Sequence, residues 1–356
     1  MEDLFIELLQ VSLGTRESLS RVPSAREWER IYDEAERQAI VGLLLSGLES
    51  LPEGQLPPLE LKLQWIGEVQ MMEAEYKTHC ERAAELTRRL RTVGFHSCIL
   101  KGVALAQLYP LPERRQCGDI DIWVDGRRKD VLTWVRTQCE IGHVTWHHTD
   151  AEFFEDVPVE VHFRPSWVYQ PLQYRRLSLF FEKEKEVQMA EREIGFGYPT
   201  PEFNAVFALT HAFHHLLEEG VGMRHVVDYY YVLRQVQGSG FFAEQSGRAE
   251  RKVQDDTLRV IKSIGLGKFA AAMMWVLKEA CGAEDELLLC EPDEKEGRFL
   301  LQEIMAAGNF GFNRVGEELK HNSLKRFWVM FKHYPNQVIW MLPFKLRNRI
   351  WKVFNR

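Results

Sequence analysis

The spacing of apolar and polar residues divides the chain into three textures. Up to about residue 94, apolar positions recur at helical intervals. Ser24 followed by Glu27 forms a capping-box pattern, after which Trp28, Ile31, Tyr32 and Ala35 share one helical face. A Pro- and Gly-containing break covers residues 51–58. A long helix is predicted over 59–93, with Gly94 placed to cap it. From Phe95, short apolar runs alternate with turns. Residues 97–100 predict a buried strand, and 102–109 a short helix closed by Pro110. Residues 119–124 predict a strictly alternating strand that leaves through Asp125-Gly126, and 127–139 a helix. Further strands are expected near 143–146 and 157–163, with a third at 151–155. After Pro199 the helical pattern returns. Thr200-Pro201-Glu202 is a strong helix start, and Phe203, Val206, Phe207, Thr210, His214 and Leu217 then share a face. Other helices are expected at 222–236, 243–264, 267–281 and 296–307. The pattern predicts an α+β protein: a helical N-terminal region (1–94), a small mixed-sheet core (95–195) and a helical C-terminal region (196–356). A cleft is expected between the core and the C-terminal helices.

Composition adds two constraints. Of 356 residues, 45 % are hydrophobic and 27 % charged, the balance of an ordinary folded protein. The formal net charge of -7 is unevenly spread. From His321 to Arg356 there are eight basic residues and no acidic ones, so the remainder of the chain stands at -15. Trp328, Phe331, Trp340, Phe344, Trp351 and Phe354 are interleaved with those bases. Such a segment suits a polyanion or membrane-surface contact, or a closing helix packed on the acidic body of the same protein. The six cysteines form no CxxC pair and no zinc-like spacing, so reduced core thiols are expected. The N-terminus lacks a basic n-region, and no run reaches the ~18 uncharged apolar residues of a membrane span. A soluble, cytoplasmic protein is the expectation.

The chemistry concentrates in the middle texture. Asp119 and Asp121 lie two apart on the alternating strand and would project from one face, with Ile120, Ile122 and Val124 on the other. Two carboxylates this close repel, and a divalent cation supplies the missing positive charge. Glu160 alternates with Val159 and Val161 on a second strand and would complete a three-carboxylate cluster. A cluster of this kind holds two metals ~3.5–4 Å apart for in-line phosphoryl displacement. No soft ligand is in sight, so magnesium is the expected metal. Lys101-Gly102 follows the first strand and opens a helix, where free N–H groups suit phosphate. Lys101 and Arg115 are candidates for pairing with triphosphate oxygens. Taken alone, an Asp-x-Asp triplet also fits two exposed acids on an edge strand, and Arg115 also fits a structural partner for an acid.

The run Lys101-Gly102-Val103-Ala104, Tyr109-Pro110, Arg115, Asp119-Ile120-Asp121-Ile122-Trp123-Val124 and Glu160-Val161-His162 resembles the bacterial nucleotidyltransferases of the DNA polymerase beta-like superfamily. The resemblance continues into Thr210-His211-Ala212-Phe213-His214-His215 and Arg224-His225-Val226-Val227-Asp228, covering about 95–235. It implies a nucleotidyltransferase-like sheet, Asp119 and Asp121 as metal ligands, and Glu160 as the third acid. It also implies transfer of a nucleoside monophosphate from a nucleoside triphosphate to an acceptor hydroxyl on a small molecule, sugar, protein side chain or RNA end. In that mechanism Glu160 helps deprotonate the hydroxyl. The wider superfamily carries Gly-Ser where this chain has Lys101-Gly102. That departure motivates a second reading, a catalytically degenerate nucleotide-binding or antitoxin-like module. A kinase-like reading lacks both a Gly-rich phosphate loop and a His-x-Asp-x4-Asn loop.

His211 and His215 at i, i+4 admit a zinc reading, with His225 or Asp228 as a further ligand. The alternatives are packing within a helical pair, and a place for His211, Arg224 or Asp228 in the cleft touching nucleotide or acceptor. His147-His148-Thr149-Asp150 reads as a polar loop between strands, without the His-Asp dipeptide of a phosphohydrolase.

Overall fold

The computed structural model describes residues 2–238, 250–309, 311 and 323–354. Among these are fourteen α-helices and one five-stranded mixed sheet, an α+β architecture. Helices α1 (Glu2–Leu13), α2 (Ala25–Arg37), α3 (Val41–Ser50) and α4 (Leu59–Thr92) come first. The Ser24 capping box forms as read. The Ser24 hydroxyl accepts from the Glu27 N–H at 3.4 Å, and the Glu27 carboxylate accepts from the Ser24 N–H at 2.8 Å. The 34 residues of α4 run about 50 Å at the α-helical rise. The helix ends where Gly94, at φ +85°, turns the chain and the Phe95 N–H reaches back to the Leu90 carbonyl.

The core follows as β1 (His96–Ile99), α5 (Val103–Ala106), β2 (Ile120–Asp125), α6 (Arg128–Gln138), β3 (Ile141–Val144), β4 (His148–Ala151) and β5 (Val159–His162). The strand order is β1-β2-β5-β4-β3. Only β2 and β5 are parallel. Period-2 alternation gives this sheet two unlike faces. Ile120, Ile122, Val124, Val159 and Val161 turn to one side and pack with Leu86 and Leu90 of α4 and Val131 and Val135 of α6. Each of these burials contributes about 1.5–3 kcal/mol. Asp121, Trp123, Glu160 and His162 turn to the other side.

The C-terminal helices follow as α7 (Pro171–Gln188), α8 (Pro201–Glu218), α9 (Met223–Gly238), α10 (Glu250–Ser263), α11 (Gly267–Cys281), α12 (Glu294–Ala307), α13 (Ser323–His333) and α14 (Pro335–Phe354), and the second face of the sheet meets α8, α9 and α14. The predicted α8 start holds: the Thr200 hydroxyl accepts from the Phe203 N–H at 3.4 Å, with Pro201 in the first turn. Trp123 stacks on Phe203 with ring centroids 5.9 Å apart and joins the sheet to α8. A continuous apolar cluster then runs from Leu8, Trp28 and Leu44 through Cys98 and Trp123 to Phe207, Phe213 and Phe269.

Three sequence expectations change. The segment read as a polar loop at 147–150 belongs largely to strand β4, and the third strand expected at 151–155 is this strand placed earlier. Asp150 pairs with Glu160 across β4 and β5. The helix expected over 102–109 closes after Ala106. Asp119 sits one residue ahead of β2 rather than inside it. Of the helix expected over 243–264, residues 243–249 lie outside the described part, as do 321, 322, 355 and 356 of the basic tail.

Candidate functional site

The candidate site lies on the polar face of the sheet. The parallel pairing of β2 and β5 sets Asp121 directly beside Glu160, and their shared parity turns both side chains to the same face. Asp119, just before β2, comes in from the loop. One carboxylate oxygen from each of Asp119, Asp121 and Glu160 lies within 4.8 Å of the others. Asp121 is fully buried. Its Oδ1 is 2.7 Å from Lys101 Nζ and 2.8 Å from His162 Nε2, while its Oδ2 is buried without a hydrogen-bond partner. His162 Nε2 also reaches Glu160 Oε2 at 3.2 Å.

The electrostatics follow from this crowding. The Asp119 carboxyl is pushed up from its ordinary value by the Asp121 charge and by burial, against Lys101. Burial works to raise Asp121 as well, but Lys101 and His162 outweigh it and hold the carboxyl low. Glu160 is lowered in the same sense, burial being outweighed by the His162 hydrogen bond. Burial works to lower Lys101, yet Asp121, Asp119 and Glu160 raise it, so it stays an ammonium. His162 rises to about 9, because its bonds to Asp121 and Glu160 overcome its burial. Two cations thus sit against three acids. His148, whose Nδ1 is 3.6 Å from Glu160 Oε2, falls to about 4 through burial and the neighbouring His162.

Arg115 is placed differently from Lys101. It is 6 % exposed and grips Asp228 of α9 with two parallel bonds, Nε–Oδ1 at 2.7 Å and Nη2–Oδ2 at 2.8 Å. Its Nη1 donates to the Gly102 carbonyl at 2.9 Å. Tyr109 adds a hydroxyl bond to Asp228 at 2.7 Å. The Tyr-Pro, Arg and Arg-x3-Asp pieces of the sequence therefore meet in one buried knot, which ties the turn after β1 to α9. Gly102 adopts φ +50°, and a Cβ there would come 3.0 Å from the Asp119 carbonyl oxygen. The helix after it has only four residues, so its dipole is small. The turn itself brings the backbone near the acids. Arg224 Nη1 reaches the Gln116 carbonyl at 3.3 Å, and the Arg224 charge works to lower the Asp119 carboxyl.

Lys101, Gly102, Asp119, Glu160, His162 and Arg224 line a cavity of about 640 Å³ between the sheet, α8, α9 and α14, while Asp121 is buried beside it, a volume within the range of small-molecule sites. One wall carries the histidines. His215 Nε2 lies 3.0 Å from His211 Nε2, and His215 Nδ1 lies 3.2 Å from Glu219. His211, His215 and His225 each present a nitrogen within 4.8 Å of the others, a group able to hold a metal. His225 Nδ1 accepts from the Gly222 N–H at 3.3 Å. Burial lowers all three rings. His214 lies outside this group and packs on Trp167 at 4.1 Å; burial, with the neighbouring His215, lowers it to about 4. Aromatic rings line the cavity as well: Trp146, Trp167 and Phe344, with Trp146 edge-on to both of the others at 5.4 Å.

Sequence reasoning placed His162 on the same strand face as Glu160 without giving it a role. The signal was there in a histidine alternating with an acid. It did not find His148 or Trp146, which lie in or beside the misread segment, nor Trp167 in the loop after β5.

A comparison with curated proteins gives no match. The sequence pattern of one family matches residues 24–276, from the capping box of α2 through the carboxylates and histidines into α11. The chain belongs to that family, the uncharacterised nucleotidyltransferases.

Proposed function

We propose that the protein transfers a nucleoside monophosphate from a nucleoside triphosphate to an acceptor hydroxyl, with magnesium held by Asp119, Asp121 and Glu160. The observation that carries this reading is the convergence of three carboxylates beside Lys101 in a cleft of substrate size. The donor set fits a hard cation: all three donors are oxygens, and Asp121 Oδ2 is a buried atom in need of a partner. Magnesium held by these carboxylates would supply Lewis-acid polarisation of phosphoryl oxygens and charge neutralisation for the leaving pyrophosphate, as a two-ion site does.

The chain's own groups do the rest. Lys101 presents a permanent positive charge to the triphosphate, and Arg224 adds a second. Gly102 lets the backbone approach the phosphates. Arg115, committed to Asp228 and the Gly102 carbonyl, acts by positioning that turn. Glu160 takes the proton of the acceptor hydroxyl. The acceptor oxygen bonds to the α-phosphorus as the bond to the pyrophosphate oxygen breaks. Dependence on nucleoside triphosphates calls for a cytoplasmic setting.

The test has two arms. Calorimetric titration of magnesium-ATP into wild type and Asp121→Ala measures binding, with affinity expected to fall in the variant. Incubation with α-labelled nucleoside triphosphates and cell extract measures transfer, expected in wild type and lost in Asp119→Ala. Tight binding without transfer supports the non-catalytic module instead. A wild type that neither binds nor transfers ends the proposal.

A further inference from the structure

Helix α14 is apolar on two sides. Val338 and Phe344 turn toward the body: Val338 is fully buried, and Phe344 packs against Trp146 and Tyr169. At 100° per residue, Ile339, Leu342, Pro343 and Leu346 form a second stripe on a different side. Their i, i+3, i+4, i+7 spacing is that of a buried seam. Yet Ile339, Leu342 and Leu346 are 51, 58 and 60 % exposed, and Pro343 is exposed with them. Trp340 flanks this stripe at 41 % exposure, and Trp328 on α13 is 63 % exposed.

Charge identifies what covers it. Two bases of this segment pair inward, Lys345 with Glu218 at 3.1 Å and Arg326 with Glu303 at 3.1 Å. Lys332 and Arg347, both exposed, have no carboxylate within ion-pair distance among the described residues. The segment from 321 to 356 contains no acid at all. A second copy docking through the same face would set one basic segment against another, which like-charge repulsion disfavours. An anionic bilayer satisfies both halves of the pattern. The apolar stripe enters the headgroup–acyl boundary, tryptophans sit at the interface, and Lys and Arg meet lipid phosphates. Among the described residues no helix is long and apolar enough to cross a membrane, so α14 would lie in the plane of the surface.

We infer that the face formed by Ile339, Leu342, Pro343 and Leu346, flanked by Trp340 and Arg347, docks on an anionic lipid surface. The same helix lines the cleft through Phe344, Lys345 and Asn348, so docking holds the cleft beside the lipid headgroups. The inference stands independently of the transfer reaction.

The experiment is cosedimentation of the full chain with phosphatidylcholine vesicles, with and without phosphatidylglycerol. Wild type is expected to sediment with the anionic vesicles and far less with the neutral ones. The double substitution Leu342→Glu/Leu346→Glu, at exposed sites, is expected to keep the wild-type thermal unfolding and to weaken binding more than about tenfold. Light scattering of both proteins runs in parallel. No sedimentation of wild type with anionic vesicles overturns the inference. So does equal binding by the folded double variant, or a wild-type dimer that the substitutions convert to a monomer.

Discussion

At the scale of single residues, the site is organised by where charge is left uncompensated. Arg115 and Asp228 neutralise each other in the interior, so removing either strands the other. Arg115→Met or Asp228→Asn is expected to cost about 3–5 kcal/mol in urea unfolding. The double variant Arg115→Met/Asp228→Leu should cost clearly less than the sum. Strict additivity would show that the pair is not coupled. Gly102 gives a backbone test. Its φ of +50° with ψ -119°, and the close Asp119 carbonyl, make Gly102→Ala strained by about 1–3 kcal/mol, read as a lower midpoint in the same melts. Magnesium-ATP affinity should fall with it, because the turn displaced is the one that carries Lys101. Asp121 and Glu160 were readable as polar-face residues because each alternates with core valines and isoleucines on its own strand; Asp119, ahead of β2, joins them from the loop instead. The commitment of Arg115 to Asp228 was not readable, since their meeting depends on how α9 packs 113 residues later in the chain.

At the scale of elements, local signals succeeded where the chemistry is local. The Ser24 box and the Thr200 cap each satisfy N–H groups that the first helical turn leaves open. Ser24→Ala should therefore lower stability by about 1 kcal/mol, measured by thermal melting, with no change in magnesium-ATP binding; a change in binding would tie α2 to the site. Strand β4 failed the local reading for a physical reason. Its cleft face carries His148 and Asp150, its core face only Thr149 and Ala151, and Asp is depleted in strands. Its hydrogen bonds come from β5 and β3, and a pairing partner cannot be seen in the segment itself. The short helix α5 failed likewise, closing after one turn as the chain bends to bring Arg115 inward.

At the scale of the whole molecule, the C-terminal helices are held by buried polar clamps as well as by the apolar cluster. Glu296 of α12 meets His333 of α13 at 2.7 Å and Lys268 of α11 at 3.0 Å. Burial works to raise the Glu296 carboxyl, but the bonds to His333 and Lys268 outweigh it and hold the carboxyl below its ordinary range. A lowered folded-state value means that this contribution is complete above the unfolded value of about 4.3 and is lost as pH falls through the folded one. Between neutral pH and about pH 3, wild type should thus lose more thermal stability than Glu296→Gln. Parallel pH profiles of the two proteins would remove the clamp from the account.

The sequence by itself determined the α+β class, the strand parity of Asp121 and Glu160, the helix starts at Ser24 and Thr200, the stop at Gly94, and the uneven charge of the tail. Those properties reside in neighbours a few residues apart, where periodicity and capping act. Only the tertiary structure decided that β4 is a strand, that Arg115 closes on Asp228, that His162 bridges two carboxylates, and that α14 leaves one apolar stripe uncovered. Each of these is a contact or an exposure set by packing between distant segments, and one-dimensional pattern has no term for it.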